Sequence, residues 1–82
     1  MKIFITLMLS MAFLFSSVDI NNATVKEFKS LKGVGEIKAL AIVEYRKKAK
    51  CFKSIKDLSK VKGIGDSIIM KNKSSLTLGK CK

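Results

Sequence analysis

The chain has 82 residues, 17 of them basic and 6 acidic, with two cysteines and no histidine. Two cysteines without histidine make a poor metal site, the acids form no cluster, and so short a chain has no room for a catalytic domain. The charge excess points instead to a polyanionic partner.

The N-terminus has the layout of an export signal. Lys2 precedes an apolar run from Ile3 to Phe15, followed by Ser16, Ser17 and the polar "VDINN". The run is short for a membrane span, which needs about 20 apolar residues. Residues 1–17 are therefore expected to be a signal peptide, with an uncleaved anchor as the alternative. In either case residues 18–82 lie outside the cytoplasm, in the periplasm or an equivalent space. Lys2 is the only charged residue of the leader, so the remainder keeps 16 basic residues against 6 acidic ones and a net charge of +10. The lysines are spread along the chain rather than gathered on one amphipathic helix, which favours nucleic acid over a membrane surface.

Residues 24–36, "TVKEFKSLKGVGE", return at 54–66 as "SIKDLSKVKGIGD", thirty residues later. Thr24 matches Ser54, Glu27 matches Asp57, and Val25, Phe28 and Leu31 match Ile55, Leu58 and Val61. The match extends through cap, core and turn positions, which marks an internal duplication. Each copy reads as helix, turn, helix. Thr24 with Glu27 predicts a capping box, and Ser54 with Asp57 repeats it with a shorter acid. The first unit is expected over about 24–48, ending with the helix "EIKALAIVEYRKK", and the second over about 54–76. "KKAKCF" serves as the connector between them. The second copy is weaker: polar Asn72 stands where the first has Ile42, and "SSLTLGKCK" reads as a frayed tail. The mature chain is expected to be all-α, with four to five short helices in one small domain.

The turns carry the candidate site. Gly33 and Gly63 can take positive φ, while Gly35 and Gly65 let backbone come close to a ligand. Val34 and Ile64 between them are pegs toward the core. A helix start offers unpaired N–H groups and a partial positive charge, which suit phosphate. Lys32, Lys62 and, in the first copy only, Lys38 add full charges. Such contacts read no base edge, so binding would be sequence-independent and weakened by salt. In an exported protein, Cys51 and Cys81 are candidates for one disulfide. It would enclose about thirty residues and stabilise the fold by roughly 3–4 kcal/mol.

The two hairpins, "DINNAT" with Glu27, and "FKSIKDL" together resemble the helix-hairpin-helix DNA-binding domain of ComEA-type competence proteins, over residues 18 to about 70. The resemblance implies a paired helix-hairpin-helix fold that binds double-stranded DNA, without a cofactor, during uptake in natural transformation. It also implies DNA-uptake machinery proteins as partners and makes oligomerisation on DNA an expectation to test. Contact with the membrane follows only if the leader is uncleaved. Family hairpins often begin Pro-Gly, whereas these begin Lys-Gly. Ile69 stands where the first copy has Ala39, which with Asn72 makes the first hairpin the stronger candidate. The fold also resembles that of an extrinsic photosystem subunit, so the alternative is a non-catalytic protein-interaction module. A charge of +10 is not needed for that role.

Overall fold

The computed structural model describes residues 17–81. All of the expected leader except Ser17 lies outside them. The elements are β1 (Val18–Asp19), α1 (Val25–Lys29), α2 (Glu36–Ala49), a first 3-10 helix (Ile55–Lys60), α3 (Asp66–Lys71), a second 3-10 helix (Lys73–Ser75) and β2 (Leu76–Thr77). The fold is mostly helical, as the patterning leads one to expect. No helix among the described residues is long and apolar enough to cross a membrane.

The first copy opens as its sequence dictates. Thr24 Oγ1 accepts from the Glu27 N–H at 3.2 Å, and Glu27 Oε1 accepts from the Thr24 N–H at 2.8 Å. That closes the capping box of α1, a helix of five residues held by its buried Phe28 rather than by propensity. The second box does not close. Ser54 makes no side-chain cap bond. The Asp57 carboxylate, one methylene shorter than glutamate, instead accepts from the Lys53 N–H at 3.2 Å, and the segment winds as a 3-10 helix. The helices of the second copy are also set less closely. Ala39 is fully buried, whereas its counterpart Ile69 lines a cleft of about 390 Å³ together with Ile55 and Met70.

The two copies pack on each other through their turns. Gly33 and Gly63 have φ of +81° and +93°. A Cβ on Gly33 would lie 3.5 Å from the Ile68 side chain, and one on Gly63 would lie 3.5 Å from that of Lys38. Ile68 and Lys38 are themselves thirty residues apart. Each turn thus rests on the second helix of the other copy, the reciprocity that a two-fold arrangement requires. The core follows the duplication, burying Leu31 with Val61 and Val34 with Ile64 around Phe28, Ile42, Phe52 and Leu58.

Asn72 corrects an expectation. It is only 4% exposed, yet it is no packing defect, because its side chain makes three hydrogen bonds, two of them to the other copy. Its Oδ1 accepts from the Lys32 N–H at 2.8 Å. Its Nδ2 donates to the carbonyls of Lys32 at 3.0 Å and Ile68 at 2.8 Å. The end of α3 therefore holds the entry to the first turn.

The tail is also more ordered than expected. β2 pairs in parallel with β1, placing Leu76 beside Val18 and Thr77 beside Asp19. Cys51 and Cys81 are bonded, with their Cα atoms 5.4 Å apart. Between them works Asn21, whose amide donates to the carbonyls of Phe52 and Gly79 and accepts from the Phe52 N–H. Asp19 accepts from the Asn21 N–H, the Asn22 amide and the Gly79 N–H. The connector is shorter than expected, since α2 continues through Ala49. It starts at Lys50, which has φ +78° and ψ −42°, a conformation costly for any residue with a Cβ.

Three outcomes follow from these contacts. Asn72→Ile, which copies the first repeat, should lower stability in urea by about 1–3 kcal/mol, because it removes the partner of the part-buried Lys32 N–H and carbonyl; an equal or more stable variant would contradict the assignment. Lys50→Gly should raise stability by about 1 kcal/mol, measured the same way, by removing strain at positive φ. The Asp19 carboxyl is pushed up by partial burial, but three hydrogen bonds and the charge of Arg46 outweigh this and hold it below the ordinary aspartate value. Its contribution is therefore complete above about pH 4 and is lost as pH falls through the lowered value. Urea midpoints measured from pH 6 down to pH 2 should fall more steeply for the wild type than for Asp19→Asn.

Candidate nucleic-acid interface

Each hairpin brings a bare stretch of backbone to a helix start. Gly35 and Gly65 are the N-cap residues of α2 and α3, with extended backbone, and no side chain caps either helix. A Cβ built on either would meet nothing within 4 Å. These glycines face open space, and neither packing nor φ demands them there. Gly33 and Gly63 differ, since their positive φ and close neighbours make them necessary to the turn itself. The N–H groups in the first turn of a helix have no partner within that helix. The start of α2 accordingly presents donors and positive potential without a side chain in front of them.

The residues singled out from sequence fall into distinct roles. The side chains of Lys32 and Lys62 flank the turns and are exposed. Lys38 is half-buried: its stem packs on Gly63, and its Nζ donates to the Gly33 carbonyl at 3.4 Å. It spans both turns and sets its ammonium group between them. Val34 and Ile64 are buried pegs, as expected, and their N–H groups donate to the carbonyls of Leu31 and Val61. They fix the shape of the turn and direct no donor outward. The Lys32 N–H is likewise taken, by Asn72, which leaves the Lys32 ammonium as its outward group.

Acids beside these turns would oppose an anion. Glu36, the first residue of α2, pairs with Lys29 at 3.6 Å, which offsets part of its charge. Asp66 stands in the corresponding place at α3 and is exposed. Sequence reasoning missed Ile37, which is 82% exposed beside the first hairpin. Helical periodicity from the buried Ala39 and Ile42 sets it on the outward side of α2.

A helix-hairpin-helix motif model matches residues 15–77. ComE operon protein 1 of Bacillus subtilis is 46% identical over 61 residues, 74% of this chain and 30% of that protein. An uncharacterized protein of Haemophilus influenzae is 43% identical over 60 residues, 72% of this chain and 54% of its own length. The mouse endonuclease/exonuclease/phosphatase family domain-containing protein 1 is 38% identical over 52 residues, but only 9% of its length is matched. The chain thus spans 30% and 54% of the two bacterial relatives. The similarity to ComE operon protein 1 agrees with the ComEA-type resemblance read from the duplicated hairpins. With two such hairpins packed reciprocally and the motif model covering most of its length, the chain belongs to the helix-hairpin-helix family.

Proposed function

We propose that this protein binds double-stranded DNA without sequence preference, as an exported, non-catalytic receptor that holds incoming DNA during uptake in natural transformation. The observation that carries the reading is the side-by-side pair of hairpins with side-chain-free tips and Lys38 between them. In this reading the backbone around Gly33, Gly35, Gly63 and Gly65 approaches phosphates, and Lys32, Lys38 and Lys62 supply charge. Val34 and Ile64 hold the turns in shape. The first hairpin is the stronger grip, because it opens a helix of 14 residues where the second opens one of 6. The apolar leader supports export, and the likeness to ComE operon protein 1 supports a role in competence.

Gly35 and Gly65 allow a test in which folding and binding separate. Gly35→Val with Gly65→Val should keep the fold, because both positions are extended and open, at a cost of about 1–2 kcal/mol in urea stability for two poorer N-caps. The same variant should lower affinity for unrelated duplexes by at least about tenfold if close backbone approach matters. For the wild type, log affinity against log salt should fall with a slope of about −2 to −4, the value for two to four phosphates. Retained affinity in the folded valine variant, or binding that ignores salt, would remove the reading. For the uptake role, deletion should abolish transformation, and the intact chain with its leader should restore it.

A further inference from the structure

The far end of α2 carries a second collection of positive charge. Arg46, Lys47 and Lys50 converge with Asn21 and Asn22 on one concavity of about 290 Å³. Its lining has no apolar side chain, unlike a surface made to enter lipid. Arg46 is held in place, with Nη1 donating to the Ile20 carbonyl at 3.1 Å and the guanidinium over the Phe28 ring at 5.7 Å. Lys47 and Lys50 are exposed, and neither makes an ion pair among the described residues. Asp19, the nearby acid, already accepts three hydrogen bonds. The helix C-terminus accounts for some of this charge, because cations there offset the dipole. It does not account for Lys50, which lies beyond the helix in a strained conformation and still lines the concavity.

We infer that this concavity is a second phosphate-binding site, which engages the backbone of another nucleic-acid segment and lets one molecule bridge two duplexes. The 14 residues of α2 separate it from the hairpins by about 20 Å, at the opposite pole of the helix. The inference rests on the DNA-binding reading, and its failure is separable from the failure of that reading.

The test uses the full chain, an immobilised duplex and a labelled duplex of unrelated sequence. Wild type should retain the labelled duplex on the beads. Lys47→Ser with Lys50→Gly, which removes both charges and relieves the strain at Lys50, should bind a single duplex with nearly unchanged affinity. That variant should retain at least about tenfold less labelled duplex, and Lys47→Arg with Lys50→Arg should restore it. If wild type binds no duplex, the DNA-binding reading itself fails. Wild type that binds one duplex without bridging, bridging unchanged in the Ser/Gly variant, or an equal loss of single-duplex affinity would each overturn the second site alone. Capture of phosphatidylserine vesicles that requires Lys47 and Lys50, without bridging, would overturn it in favour of lipid.

Discussion

The arrangement depends on two glycines that press against the opposite repeat. Neither short helix-turn-helix unit buries enough surface to persist alone. Each gains a second wall because the turn of its partner can approach without a side chain, Gly33 against Ile68 and Gly63 against Lys38. Positive φ and close approach are needed at the same residue. That double requirement sets the turns side by side, and the exposure of Gly35 and Gly65 follows from it. The bare helix starts are therefore held by the same contacts that hold the fold.

The duplication is imperfect in ways that assign different work to its halves. The first copy has a closed capping box and a long second helix. The second has a 3-10 segment, a short helix and a cleft, and it is secured by polar ties instead of by a deeper core. Asn72 fastens α3 to the first turn, while Asn21 fastens the N-terminal strand to the connector and the tail. Buried amides of this kind cost little when every donor and acceptor is met, and no buried side-chain polar atom among the described residues lacks a partner.

Much of this was legible in the residues themselves. The capping box, the alternation of core positions and the positive-φ glycines are local features, and local sequence is enough to reveal them. Asn72 was misread because comparison of the copies judged it by polarity against Ile42. Lys32, its partner in two of three side-chain bonds, lies forty residues away in a turn that only the assembled fold brings near. The second cap failed for a local reason too fine for the pattern to show, the length of one methylene in Asp57. The strand pair was hidden because two residues carry no periodicity, and Lys50 because a left-handed residue without glycine leaves no mark in composition. The exposure of Gly35 and Gly65 needed neighbours in space, as did the meeting of Arg46 with Lys50.

The parallel pairing of β1 with β2 has a consequence for the order of events. Parallel strands need a long crossover, and here both hairpins form that crossover, with Val18 waiting for Leu76 and Asn21 for Gly79. In a chain made from its N-terminus, β1 has no strand partner until both hairpins and Leu76–Thr77 have been made. Closing so long a loop comes late because its entropy is recovered only when the distant contacts form. The pairing of Val18 and Asp19 is therefore among the last contacts to form, although those residues precede every helix of the domain.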